Sequence, residues 1–219
     1  MSKGIIRFLI GFGFLLFFIG LTFKKTPVLI IGLLMTGAGF YFGLGPDGIL
    51  RKDQVQDNWS NLLGGAQEKA EEIFQNTEQF IKESKAPDIR MERKEIAPGL
   101  IKGLTGKTRN FLVITDQRNF KLAPYQVYIN ARDYGENLDV SWHLTYKSTL
   151  WQSLLSLIPF VNVIPATLSE LDLFDQQDLR VYVTNAHHCL LRAVDKLMSD
   201  LGQDSSKIDR KSRGFLGIS

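Results

Sequence analysis

Residues 126–146 read QVYINARDYGENLDVSWHLTY, two alternating runs on either side of the short connection DYGEN at 133–137. Successive side chains of a strand point to opposite faces, so Val140, Trp142, Leu144 and Tyr146 share one side while Ser141, His143 and Thr145 share the other. The connection is brief and contains Gly135, which suits a reversal between antiparallel neighbours. The reading is a hairpin of strands over 126–132 and 138–146 with one buried face.

On the N-terminal side of this hairpin, Lys85-Ala86-Pro87 marks a change of period, and two further strands follow at 89–96 and 110–115. On the C-terminal side the period becomes helical. From Leu179, the positions Val183, Ala186, Leu190, Ala193, Val194, Leu197 and Leu201 fall on one face, with Asp175 or Asp178 to cap the start and Gly202 beyond the end. Residues 180–183 also fit a short strand, so the start of this helix is open. The fold class is α+β, a small antiparallel sheet covered by a long C-terminal helix over 87–202.

The N-terminal fifty residues belong to another regime. Phe8 to Phe23 runs for 16 residues without charge and Pro27 to Gly45 for 19, separated by Lys24-Lys25-Thr26. At about 1.5 Å per residue the second run nearly matches a hydrocarbon core of about 30 Å, and the first reaches it with Ile5, Ile6 and a snorkelling Arg7. Residues 1–50 therefore read as a two-helix transmembrane hairpin, with Phe8, Phe12, Phe17, Phe18, Leu29 and Ile30 meeting lipid. Ten of the 19 glycines lie in the first 48 residues, and Gly39 and Gly43 form a GxxxG spacing that lets helices approach closely, either within the hairpin or against a neighbour. A secretory signal peptide fits less well, because Lys24-Lys25 and a second span stand where a cleavage site belongs. Neither span carries Asp, Glu or His, which leaves out the usual groups of a proton relay. Lys3, Arg7, Arg51 and Lys52 outside the turn, against Lys24 and Lys25 within it, place both termini in the cytoplasm. The single Cys189 agrees with a reducing compartment. A bacterial inner membrane, or an organelle membrane of bacterial descent, is the expected location.

Between hairpin and sheet, Val55, Trp59, Leu62, Leu63, Ala66, Ala70, Ile73, Phe74, Phe80 and Ile81 recur at three and four, and Trp59, Ala66, Ile73 and Phe80 at seven. Residues 51–86 read as an amphipathic stalk or linker helix, bent at Gly64-Gly65. A helix exposing Trp59 requires a partner surface. Residues 150–165 are largely apolar, with Gln152, Ser153 and Ser156 on a narrow polar face of a helical part that Pro159 ends too early for a span, so Trp151, Leu154, Leu155 and Phe160 join Trp59 as candidate partner contacts. The domain's own core and the membrane interface are the other places for this segment. The last stretch, 203–219, reads as a flexible basic tail whose apolar end, Phe215, Leu216 and Ile218, suits docking in a groove.

Charge excludes one class. The net +3 belongs to the first 50 residues, and 51–219 hold 22 basic and 22 acidic residues, which argues against nucleic acid as a partner. Within that part, 85–132 carry ten basic and four acidic residues and 133–204 the reverse, so the halves pair within one fold or between copies as a homo-oligomer.

Chemical motifs weaken on inspection. Residues 103–108, GLTGKT, end like a phosphate loop, but Ile101 stands where its first glycine belongs and no helix pattern follows. Lys102, Lys107 and Arg109 in this loop are candidate contacts for anionic headgroups or an acidic partner. His187-His188-Cys189 cannot share one ion on a helix, because adjacent residues diverge by about 100°. A core cysteine beside two surface or partly buried histidines is the expected arrangement. Glu170, Asp172, Asp175 and Asp178 lack calcium-loop spacing and suit helix capping. No catalytic constellation, cofactor motif or metal set appears. The expectation is a non-catalytic scaffold or accessory subunit that tethers other proteins of a complex to membrane lipids. The alternative is a tethered lipid-binding or enzymatic domain at the headgroup layer.

Overall fold

The computed structural model describes residues 3–44, 54–96, 108–119, 121–146 and 171–214, with side chains in the first of these from residue 8 to 39. The described elements fall into two compact units, one helical and one α+β.

The helical unit is the hairpin of α1 (Lys3–Thr22) and α2 (Thr26–Leu44). Lys25 N–H donates to Gly20 O at 2.9 Å across a turn in which Lys24 takes φ 53°. The seam is built from glycine. A Cβ on Gly13 would stand 2.5 Å from Thr36 Oγ1, on Gly20 2.5 Å from Leu29 N, and on Gly39 2.5 Å from Ile10 Cγ1, all too close for a real side chain. Gly39 thus packs within the hairpin; the surroundings of Gly43 lie outside the described side chains. Among the described residues, no helix is long and apolar enough to cross a membrane.

The second unit holds one antiparallel sheet of five strands in the order β1-β5-β4-β3-β2. The strands are β1 (Val55–Leu63), β2 (Ile89–Ile96), β3 (Arg109–Asp116), β4 (Tyr125–Tyr134) and β5 (Asn137–Tyr146). Between β1 and β2 runs α3 (Ala70–Glu83), and α4 (Leu173–Asp200) follows the sheet. The hairpin expected at 126–146 is present, with Tyr128 opposite His143 and Tyr134 opposite Asn137. Trp59, Leu63, Leu112, Ile114, Val127, Ile129, Val140, Trp142 and Leu144 pack beneath α3 and α4 in one core. Both faces are buried, which corrects the one-sided expectation. Ile96, Phe111, Val113 and Tyr128 form a smaller cluster on the opposite side, and Ser141 and Thr145 are buried there too.

The stalk helix over 51–86 is not formed as one element. Its first half is β1, paired along its length with β5, Trp59 opposite Trp142. Asp57, Trp59 and Leu63 are buried in period two, while Leu62 is 52% exposed. The apolar spacing of this stretch satisfies either period, and the ladder to β5 decides. Gly64-Gly65 is a turn instead of a helix bend, with Gly65 at φ +63°, a conformation that costs a side chain about 1 kcal/mol or more. The second half is α3, which buries Ile73, Phe74, Thr77 and Ile81. The segment is therefore part of the α+β unit and not a separate stalk.

Helix α4 begins earlier than Leu179 and is helical through 180–183. Asp172 is its cap, accepting from Asp175 N–H at 2.9 Å. It ends at Asp200, and Gly202 follows at φ +67°, where Gln203 N–H returns to Met198 O at 2.8 Å.

Candidate interaction surface

Two places in the α+β unit combine exposure with rigid support. The first is the start of α4, held by a polar clamp from the β3–β4 connection. Lys121 Nζ reaches Asp175 Oδ2 at 2.8 Å and Asp172 Oδ2 at 3.2 Å, and Asn119 Nδ2 donates to Asp175 Oδ1 at 2.6 Å. Asp175 is buried, so these partners supply what water would otherwise provide. The bonds to the two carboxylates raise the Lys121 pKa, and the Asp175 N–H first, then Lys121, hold Asp172 below the ordinary carboxylate range. Behind the clamp the fully buried Asp116 takes the Arg118 guanidinium through Nε at 3.1 Å to both oxygens. That hydrogen bond raises Arg118 above its usual value. Asp172 is thus the cap, whereas Asp175, one of the two caps the sequence suggests, is clamped inside the first turn.

On this fixed start α4 turns apolar side chains outward. Phe174 is 77% exposed, Leu173 65% and Val181 64%. Phe174 and Val181 are seven apart and stand within about 20° of one another on the helix, with Leu173 flanking. Exposed Gln177 and Asp178 lie between them. An aromatic and two aliphatic side chains held open on a rigid helix are what a partner surface uses for anchors. The core-facing period of α4 gives no hint of them, and a sequence signal exists only in hindsight, as apolar residues off the buried stripe.

The second place is the C-terminal segment after α4, whose described residues, through 214, are fastened to the domain; residues 215–219 of the expected flexible tail lie outside the described residues. Gln203 Nε2 donates to Gly64 O at 2.7 Å, Ile208 is buried in the core, and Arg213 N–H donates to Asn58 O at 2.9 Å. The segment is a strap along the free edge of β1. Beside it, Ser60, Asn61, Leu62, Asp139, Lys207, Asp209 and Arg213 line an open cleft of about 400 Å³. Its charges are mixed, two basic and two acidic, and Asp139 is already engaged by Arg132 Nε at 2.8 Å.

Trp59 is not a partner contact: it is 1% exposed, with its indole N–H donated to Asp209 O of the strap. Of the loop cations, Arg109 is exposed at the start of β3, while Lys102 and Lys107 lie outside the described residues. Trp151, Leu154, Leu155, Phe160, Phe215, Leu216 and Ile218 lie outside them as well. In the hairpin, Phe8, Phe12, Phe18 and Ile30 are exposed, while Phe17 and Leu29 are half-buried.

Cys189 is buried in the core, which pushes its thiol pKa up. His188 is exposed, but His187 is 1% exposed and wholly internal, against the expectation of a surface or partly buried ring. Among the described residues, no three His, Cys, Asp or Glu side chains gather as a metal site requires. Comparison with family models, with curated proteins and with solved structures finds no match.

Proposed function

We propose that the protein is a membrane-anchored, non-catalytic scaffold or accessory subunit, whose hairpin sits in a bilayer and whose cytoplasmic α+β unit holds other proteins of an assembly there. The observation that carries this reading is the inversion of the hairpin's surface. Phe8, Leu15, Phe18 and Leu21 of α1 and Ile30, Ile31, Leu33 and Leu34 of α2 are 50–64% exposed, while Gly13, Gly20, Gly32 and Gly39 are buried at the seam. In water a helical pair hides its large apolar side chains; in lipid the tails solvate them and small residues bring the backbones together. The described side chains fall short of a span, but the helical backbones of 20 and 19 residues extend about 30 Å at the usual rise, which is the thickness of a hydrocarbon core.

The scaffold half of the reading is supported by the clamped apolar stripe of Leu173, Phe174 and Val181. Lipid, through the hairpin, and protein, through this stripe, are the partners proposed. Alkaline carbonate washing of native membranes tests the anchor: the chain is expected to stay with the pellet, and release to the supernatant would refute the integral placement.

A further inference from the structure

We propose that His187 is a pH-sensitive latch for the C-terminal strap, holding residues 203–214 on β1 when neutral and loosening them when it takes up a proton. The ring sits between two indoles, with centroids 5.7 Å from Trp59 and 5.6 Å from Trp142. Trp142 Nε1–H donates to His187 Nδ1 at 2.8 Å. An indole nitrogen is only a donor, so Nδ1 is bare and the single proton of the neutral ring sits on Nε2. Nε2–H then donates to Arg210 O, 2.8 Å away in the strap. One neutral tautomer therefore joins β5, α4 and the strap at a single point.

A second proton has one place to go, Nδ1, and there it meets the indole N–H head on. The Trp142 bond is lost, two buried donors face each other, and the ring must move away from Trp142, which draws Nε2 off Arg210 O. Among the described residues, the charged groups that act on the ring do not offset this. Strands β1 and β5 present the indoles of Trp59 and Trp142 to it. From α4 comes His188, and from the strap Arg210, whose guanidinium is held by Asp195 Oδ1 at 2.7 Å; both oppose a positive charge on His187. Burial is the main cause that lowers the ring pKa, and the two charges add to it against the opposing hydrogen bond to Arg210 O. The remaining strap fastenings near this point are modest: Trp59 N–H to Asp209 O, Ser212 Oγ to Asp57 Oδ2 at 3.1 Å, and Arg213 N–H to Asn58 O. Loosening exposes the outer edge of β1 around Asn58, a row of backbone groups suited to pairing with another strand.

The test is amide hydrogen exchange of the full chain in detergent, expressed as protection factors so that the intrinsic pH dependence of exchange cancels. Between about pH 7.5 and about pH 5, protection in 204–213 is expected to fall about ten-fold or more while that of 186–197 in α4 holds. His187→Gln, whose amide can accept from Trp142 and donate to Arg210 O, is expected to show no such fall; His188→Gln is expected to keep it. Strap protection that is flat with pH in the parent chain, or a fall that survives in His187→Gln, would overturn the proposal. If His187→Gln does not fold, the imidazole titration of His187 by NMR decides: its midpoint must coincide with that of strap loosening, and a mismatch refutes the latch.

Discussion

At the scale of single residues, the α+β unit is held by a few polar side chains in an apolar core. Tyr182 of α4 is 2% exposed, and its hydroxyl donates to Ile114 O at 2.5 Å and receives Val127 N–H at 3.3 Å. Burial raises its pKa and keeps it a donor. Tyr182→Phe leaves both backbone groups short of a partner, and a loss of about 1–3 kcal/mol is expected, read as a lower thermal midpoint of the full chain. The buried histidines give stability a pH dependence of known sign. His143 and His187 are both lowered from 6.5, chiefly by burial. Between the folded values and 6.5 the unfolded chain binds more protons, so stability is complete above 6.5 and declines as pH falls toward the folded values. Melting scans from neutral to mildly acidic pH are expected to show that decline, reduced in His187→Gln. None of these roles is legible in the sequence, because Trp59, Trp142, His187 and Arg210 lie on four different elements and no spacing connects them.

At the scale of elements, legibility followed how far an element's partners were implied by its own pattern. The hairpin β4–β5 announces itself, since 127–131 and 138–146 alternate and the turn sits between. Helix α4 is equally plain, although its cap at Asp172 lies ahead of the apolar period. Strand β1 is not, because Val55, Trp59, Leu62 and Leu63 fit a helix as well as a strand, and its pairing with β5 joins residues some eighty positions apart, as in Trp59 with Trp142. The strap is polar, with Lys207, Arg210, Lys211 and Arg213, and its attachments depend on β1 and α4 already being in place. In the helical unit, Gly32→Leu puts a side chain against the backbone of Phe17 and 2.7 Å from Gly13 O. The two helices are expected to separate, which frees the tight turn at Lys24-Lys25 that their pairing closes. Tryptic cleavage at these exposed lysines, followed in detergent, should then run several-fold faster than in the parent, and an unchanged rate would count against the glycine seam.

At the scale of the whole molecule, a helical hairpin with an outward apolar surface accompanies a unit whose clamped helix start holds Leu173, Phe174 and Val181 open. Replacing Phe174 and Val181 by Glu alters exposed positions, so it is expected to leave the melting behaviour within about 0.5 kcal/mol of the parent while weakening assembly. The candidate surface was not legible in the sequence, whose apolar candidates were the buried Trp59 and residues outside the described ones, because its place on α4 depends on which face the sheet covers. The measurement that bears most directly on the scaffold reading is the protein mass of the gently extracted full chain by light scattering, with the detergent contribution removed. A scaffold is expected to show a mass well above the 24.8 kDa of one chain, at fixed stoichiometry, falling toward 24.8 kDa in the Phe174→Glu, Val181→Glu variant; a parent protein that already runs as a bare 24.8 kDa monomer would contradict it.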